Sequence, residues 1–557
     1  MNRSSLAIFA ALLLASCLAG GCTSSPPATT TVHAPPPIVG AAKFVNIAPT
    51  AGINYTWTIS GTRPLNILQT IGNGCAFLDY NASGNQSVLL VGTDHVVLYK
   101  GDGKGHFTDV SQAMGLAKLK GHFLGVAVGD YDNDGYPDLY LSAYRGGVLL
   151  HNTHGTGFQD VTAQAGIKPQ PWGTSCAFAD VTGSGKLDLY IGNYVQYGPK
   201  TDPQLCDSNG IKTACGPRYY LAEKGMLYHN LGGGKFQDIT VAMNGKAISG
   251  KTLGAAFADF NGSGKPSLAL ANDEMAGDLL QNKGKKFENV GAASNTAYDN
   301  VGSVHGGMGL DWGDYNNDGK LDLAVATYFN ENKCVYKNSG GGFFDDQSAA
   351  LAISDSTRPY VSFGCKWLDY DNDGWLDLVY ANGHVQDNIS AVDKTATYRE
   401  PMRLLHSVGG TRFDDVTAAS GADLQTPLVG RGLATGDFDN DGKIDVLVVD
   451  SEGKPLLLHN ETPTSNHWLG LSLVGTGKSS RDAYGATVTV KAGGRTVMRV
   501  CHSDGSYLSA SDKRVLIGLG SATTIDSVTL RWPDGITQNW KPAGIDRYFT
   551  VKETVAP

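Results

Sequence analysis

At residues 364–382 the chain reads GCKWLDYDNDGWLDLVYAN. Its centre, Asp369 to Asp377, is Asp-x-Asp-x-Asp-Gly-x-x-Asp, and the apolar runs on either side read as two short strands joined by an acidic turn. The phrase recurs with first residues Asp79, Asp130, Asp180, Asp259, Asp314, Asp369 and Asp437, at intervals of 51, 50, 79, 55, 55 and 68 residues. Small-residue strands precede the turns (GVAVGDYD, CAFADVTG, GAAFADFN, GLATGDFD), and PDLYLS, LDLYIG, LDLAVA, LDLVYA or IDVLVV follow them. A third strand then runs into a glycine turn (LLHNTHG, LYHNLGGG, VYKNSGGG), and a fourth reads FTDV, FQDVT, FQDIT or FDDVT.

Four short strands in each of seven units, at a period near 50 residues, predict an all-β chain built around a seven-bladed β-propeller. The folded region opens at Phe44-Val45-Asn46-Ile47, which matches the end of a unit, and the last unit stops at LLHNET without that end phrase. The N-terminal strand is therefore expected to complete the last blade and hide an edge. The propeller is expected over residues 43–463, with a small β domain over 464–557.

Composition agrees with a turn-rich β protein. Glycine makes up 72 of 557 residues, nearly double the usual share of about 7%. The glycines have no every-third-residue period, which excludes collagen. There is no sustained heptad pattern, which excludes a long coiled coil. The formal charge of −9 lacks the basic excess of a nucleic-acid footprint.

The units resemble FG-GAP/VCBS repeats, known from integrin α-chain propellers and many bacterial secreted proteins. The C-terminal stretches HWLGLSLVG, SSRDAYGATVTV, DGSYLSASDKRVLIGLG and VTLRWPDGITQNW resemble the ASPIC/UnbV domain of the cartilage acidic protein family, with Ser480 where the family usually has Asn. The resemblance covers about residues 44–557.

The turns place side-chain oxygens at positions 1, 3, 5 and 9, with a backbone carbonyl at 7 and a glycine at 6 for the sharp bend, a donor set suited to calcium. Asp130, Asp132, Asp134 and Asp138, with Tyr136 at position 7, offer four carboxylates. So do Asp369, Asp371, Asp373 and Asp377 with Trp375, and Asp437, Asp439, Asp441 and Asp445 with Lys443. Asp314, Asn316, Asp318 and Asp322, with Lys320, offer three and an amide. Asp180, Thr182, Ser184 and Asp188 form a weaker candidate, while the turns at Asp79 and Asp259 have one carboxylate each and are expected only to keep the bend. About four Ca2+ ions, or five with the weaker loop, are expected in a structural role. An EF-hand is excluded, because position 12 of the best loops holds Leu141, Val325, Tyr380 or Val448.

Residues 1–22 read as a lipoprotein-type signal, with Cys17 or Cys22 as the lipidated residue, and residues 23–42 as a Pro/Thr-rich spacer. The chain is thus expected to be exported, as an envelope lipoprotein or secreted, touching membrane only through a lipid anchor. Cys206 and Cys215 flank a loop that lacks its own core and are expected to form a disulfide. Cys75, Cys176 and Cys365 share a strand slot four residues before their turns and are expected to be buried.

His151, His229, His406 and His459 share one slot in the third strand, which favours a structural role. On the face opposite the acidic turns the repeat logic collects His122, Arg145, Asn193, Asp273, Glu274, His305, Glu331, Asn382 and His384, together with the two largest insertions, about 195–222 and 385–403. Long loops on one face of a rigid scaffold are where ligands tend to bind. No Gly-x-Ser-x-Gly elbow, His-Glu-x-x-His or phosphate-binding loop occurs. The expected function is a non-enzymatic binding or adhesion module for a protein or glycan ligand at the cell envelope. The alternatives are an envelope enzyme acting on a carbohydrate or other polymer at the loop-rich face, and a scaffold for an envelope complex.

Overall fold

The computed structural model describes residues 42–243 and 248–554. The expected signal segment, Cys17, Cys22 and nearly all of the expected spacer lie outside the described residues. The rest belongs to one compact unit. No helix among the described residues is long and apolar enough to cross a membrane.

Among the described residues seven antiparallel sheets built on four strands follow one another, with first strands Cys75–Leu78, His122–Gly129, Gln170–Ala179, Thr252–Ala258, Leu310–Gly313, Ser362–Leu368 and Gly430–Gly436, and His305–Gly306 adds a fifth strand to the sheet beginning at Thr252. The second and third sheets are also joined through Trp172 and Tyr144, which pair across their strands. Each first strand packs against that of the next sheet, and the last packs against the first, so the sheets form a closed ring. Phe44–Asn46 pairs antiparallel with Leu456–Asn460 and supplies the fourth strand of the last sheet. The chain's two propeller ends are thus zipped together, and an edge that would template aggregation is covered.

The repeated phrases have specific packing jobs. The aromatic at loop position 2 meets the fourth-strand phenylalanine of the following sheet: Tyr131 with Phe236, Phe260 with Phe344, Tyr315 with Phe413 and Phe438 with Phe107, at centroid distances of 5.5–6.0 Å. Phe44 takes that part for Tyr370 at 6.2 Å, which is why the opening FVN mimics the end of a unit. In Phe-x-Asp-Val-Thr, the aspartate accepts from the Thr or Ser backbone two residues on, as Asp160 does from Thr162 at 2.9 Å. The Thr hydroxyl in turn accepts the Leu149 amide of the third strand at 2.8 Å. The side chains thereby satisfy backbone groups that the short strand leaves open.

The C-terminal residues form a three-stranded sheet, with His467–Val474 between Val515–Gly520 and Tyr548–Lys552, and a four-stranded sheet containing Thr487–Ala492 and Ser527–Arg531. The connection between Arg495–Val500 and Val515–Gly520 does not stay with them: it runs into the centre of the ring. Residues 504–512 bond to every first strand. Ser509 Oγ accepts from Cys75 N at 3.1 Å, Leu508 O from Val126 N at 3.0 Å, and Ser175 Oγ from Leu508 N at 3.0 Å. Asp504 accepts from Phe257 N at 2.8 Å and, through its carbonyl, from Lys366 Nζ at 3.2 Å. Ser506 N donates to Leu310 O at 2.6 Å, and Asp512 N to Thr435 O at 2.9 Å. Fully buried Tyr507 reaches the far end and donates to Ile71 O at 3.0 Å. The segment plugs the channel. Gly74 has to be glycine because a β-carbon there would lie 1.8 Å from the Leu508 carbonyl oxygen.

Candidate functional site

The acidic turns lie beneath the C-terminal sheets. In each of the four carboxylate-rich loops the position-1 aspartate accepts the amide of the glycine at position 6: Gly135, Gly319, Gly374 and Gly442 donate at 2.8–3.0 Å. The amide of position 7 donates to the position-5 carboxylate, at 2.8–3.0 Å from Tyr136, Lys320, Trp375 and Lys443. These bonds fold the loop so that the free carboxylate oxygens converge. Asp130, Asp132 and Asp138 form one group of ligand atoms within 4.8 Å of one another, and Asp369, Asp371 and Asp377 form another.

The donors fit a hard divalent cation. Asp322 Oδ2, Asp369 Oδ1 and Asp439 Oδ1 are buried and have no hydrogen-bond partner among the described residues. Burial pushes the carboxyls of Asp138 and Asp377 up to about 7 and that of Asp322 to about 8, and holds Asp445 well above the usual carboxylate range. A cation among them would supply the charge that solvent no longer provides. The loop at Asp180 shares the fold, with Ser184 N and Gly185 N donating to Asp180 at 2.8 and 2.7 Å, but presents hydroxyls at Thr182 and Ser184 between Asp180 and Asp188.

Histidines join these loops. His151 Nδ1 lies 3.2 Å from Asp138 and 3.4 Å from Asp132, His229 Nδ1 lies 2.8 Å from Asp188, and His459 Nε2 lies 3.1 Å from Asp439. With His406 beside Asp371 and Asp373, three of them complete clusters able to hold a metal ion. The shared slot was legible in the sequence; its position over the preceding turn was not, because it depends on how far the strands are offset.

The loops are also stitched together. The four richest loops have asparagine at position 4, in left-handed backbone at φ 54–63°. Each side-chain amide donates to the position-6 glycine carbonyl of the next loop: Asn133 to Gly185, Asn317 to Gly374, Asn372 to Gly442 and Asn440 to Gly84, at 2.9–3.4 Å. Arginines of the C-terminal sheets close over them. Arg499 donates to Gly374 O at 3.2 Å, Arg495 to Asp373 O at 2.6 Å, Arg514 to Asp437 O at 2.5 Å and Arg531 to Gly262 O at 3.2 Å. Arg481 N donates to Asn133 Oδ1 at 2.8 Å.

The opposite face gathers some of its expected residues and separates others. Asp273, Glu274 and Glu331 line one cavity of about 300 Å³. His384 stands behind it, fully buried, with Nε2 3.4 Å from the Tyr328 hydroxyl. Asn193 and Asn382 are fully buried, and their amides brace backbone carbonyls of Lys224 and Pro401. His305 is buried with Nε2 3.2 Å from Tyr336 OH. His122 packs edge-on to Tyr144 at 5.8 Å, and Arg145 lies over the same ring at 5.1 Å, away from the cavity lining. The cavity adds Arg218, Tyr194 and Tyr328, which no motif marks.

Both insertions meet at this cavity. The Cys206–Cys215 disulfide closes the hairpin of the first. Asn388 of the second donates to Lys212 O at 2.7 Å and accepts from Thr213 Oγ1 at 2.9 Å, and Gln386 donates to Ala214 O at 3.3 Å. The remaining cysteines among the described residues, Cys75, Cys176, Cys334, Cys365 and Cys501, are free and buried.

A closed ring of acidic-turn sheets, plugged and capped from its turn side, defines a repeat-built β-propeller. The repeats match the FG-GAP-like repeat model at residues 79–141, 134–191, 259–325, 314–380 and 369–448, and the chain belongs to that family. The ASPIC and UnbV model matches residues 475–557. Among curated proteins, the chain is similar to cartilage acidic protein 1 of Xenopus tropicalis, 26% identical over 83% of this chain and 70% of that protein. It is also similar to the Mus musculus and Homo sapiens proteins of that name, at 25% and 24% identity over 75% of this chain. It spans 62% and 61% of their lengths. Among solved structures, the chain is similar to an Agrocybe aegerita lectin recognising non-reducing terminal N-acetylglucosamine (14% identity, TM-score 0.39, 68% of this chain and 86% of that one). A rhamnogalacturonan lyase has 12% identity and a TM-score of 0.38 over 76% of each chain.

Proposed function

We propose that this protein is an exported, calcium-loaded propeller that acts as a non-enzymatic binding or adhesion module at the cell envelope, held there by a lipid on Cys17 or Cys22 or released as a secreted protein. Calcium occupies the loops beginning at Asp130, Asp314, Asp369 and Asp437 and stiffens the face on which the C-terminal sheets rest. The ligand, a protein or a glycan, is taken at the opposite face.

The observation that carries this reading is the division of labour between the faces. The turn face is covered by the C-terminal sheets and the channel is filled by residues 504–512, whereas the face with both insertions keeps an open, disulfide-braced cavity. Capture of envelope proteins, together with a glycan array, using the full chain with and without calcium tests it. Calcium-independent capture that survives removal of both insertions would overturn it.

A further inference from the structure

The cavity between the insertions has a defined chemistry. Its floor is apolar, with Ile71, Met308 and Phe363, and Phe363 packs edge-on to the plug residue Tyr507 at 4.9 Å. Its walls carry the carboxylates of Asp207, Asp273, Glu274 and Glu331 against one guanidinium, Arg218. That guanidinium is committed: it donates to Glu274 from NH2 at 2.7 Å and from Nε at 3.2 Å. Lys212 lies 3.7 Å from Asp207. Lys251 and Lys333 are turned to backbone carbonyls, Lys251 to Pro217 at 2.8 Å and Lys333 to Tyr360 at 2.6 Å and Tyr328 at 3.0 Å.

Among the described residues Asp273 and Glu331 form no ion pair, although the charge of Lys251 acts on Asp273 and that of Lys333 on Glu331. Both carboxylates lie close to Gly306: a β-carbon built there would be 3.1 Å from Asp273 Oδ1 and 3.7 Å from Glu331 Oε2. Each is pinned through one oxygen. Asp273 Oδ2 accepts from Tyr194 OH at 2.5 Å, and Glu331 Oε2 accepts from Gly306 N at 2.9 Å and Tyr328 N at 3.1 Å. The second oxygen of each has no hydrogen-bond partner among the described residues. Burial, with the neighbouring Glu274 and Glu331 carboxylates adding to it, pushes the Asp273 carboxyl up to about 7. Tyr194 and Tyr328 also line the cavity.

We propose that this cavity binds an organic cation with an aliphatic stem, its ammonium or guanidinium group seated between Asp273 and Glu331 and its methylenes on the floor of Met308 and Phe363. The source is either a lysine or arginine side chain of a protein partner or a free alkyl diamine. The proposal rests on the placement of ligand recognition at the insertion face.

The calcium-replete full chain is titrated calorimetrically with cadaverine, with a lysine-centred tripeptide, with the same peptide acetylated at Nε, and with N-acetylglucosamine. Saturable binding is expected for the two cations and none for the acetylated peptide, and saturating cadaverine is expected to raise the melting temperature of the wild type. Tighter binding of the peptide than of cadaverine assigns the cation to a protein partner, and the reverse to a free amine. Asp273→Asn and Glu331→Gln are each expected to weaken binding by roughly tenfold or more, since a buried charge then loses its counter-charge. Equal binding of the free and acetylated peptides, cation binding unaffected by both variants, or no binding and no melting shift with either cation would overturn the proposal. A neutral saccharide that binds where the cations do not, and is lost in the same variants, would overturn the cation and leave the insertion face as the recognition surface. Failure of every probe, together with insertion-independent capture of envelope ligands, would remove both.

Discussion

Asn372, the fourth residue of the sixth loop, donates from its side-chain amide to the carbonyl of Gly442, the sixth residue of the seventh loop, at 2.9 Å. Its own carbonyl accepts from Gly520 N of the C-terminal sheet at 2.9 Å. One buried residue therefore ties two candidate metal loops to each other and to the sheet above them.

Asn372→Ala is expected to destabilise the protein by about 2 kcal/mol, since it leaves a buried carbonyl unpaired and puts a β-carbon side chain without a local hydrogen bond at φ 58°. Asn372→Gly keeps the backbone freedom and isolates the lost amide. Urea unfolding of the three proteins checks this. Wild-type stability in both variants would mean that the stitch between loops carries no energy.

Excess chelator is expected to lower the melting temperature. At free calcium one hundred times Kd, each site binding only the folded chain contributes about 2.7 kcal/mol. Asp369→Asn and Asp445→Asn should each reduce the effect, whereas Asp79→Asn, in a loop with a single carboxylate, should leave it nearly intact. The same melting curve with and without chelator would remove calcium from the account.

Gly74→Ala sets a β-carbon against the backbone of the plug, and a clash with backbone rather than a flexible side chain is expected to cost about 3 kcal/mol or more. Tyr507→Phe removes only the bond to Ile71 O and is expected to cost about 1 kcal/mol. Denaturant melts measure both, and limited proteolysis reads exposure of residues 501–512. A Gly74→Ala protein with wild-type stability and an uncleaved plug would contradict the threading.

Asp273 gives a pH dependence of defined sign. Its folded carboxyl is raised from 3.8 to about 7, with burial as the main cause. Its contribution to stability is therefore fully present below about pH 4 and is lost as pH rises through about 7. Asp273→Asn removes that loss. The melting temperature of the variant relative to wild type should rise between pH 5 and pH 8, without added amine. A flat difference would show that Asp273 titrates normally.

Local phrases were readable wherever one residue's job lies within its own turn. The glycine at position 6, the aspartate at position 1 and the Phe-x-Asp-Val-Thr ending all act within one unit, over 5 to 13 residues, so the repeats disclosed them. Asn372 also sits in a repeated phrase, but its partner lies 70 residues away and the motif does not name it. The insertion-face residues were grouped by counting from the turns, which places residues at one end of a strand but not on one side of it. Hence Asp273 and Glu331 reach the cavity while Asn193 and Asn382 turn inward as braces.

The sequence by itself determined the repeat unit, the all-β ring, the strand that closes it and which turns concentrate carboxylates. Each of these follows from short-range hydrogen bonding and from hydrophobic alternation, which repeat with the chain. Only the tertiary structure decided that DGSYLSASD fills the channel, that arginines of the C-terminal sheets rest on the turns, and that two insertions far apart in sequence brace one acidic cavity. Those contacts join residues hundreds of positions apart. They depend on closing the ring, which brings seven first strands around one axis and leaves a central hole whose backbone groups need partners.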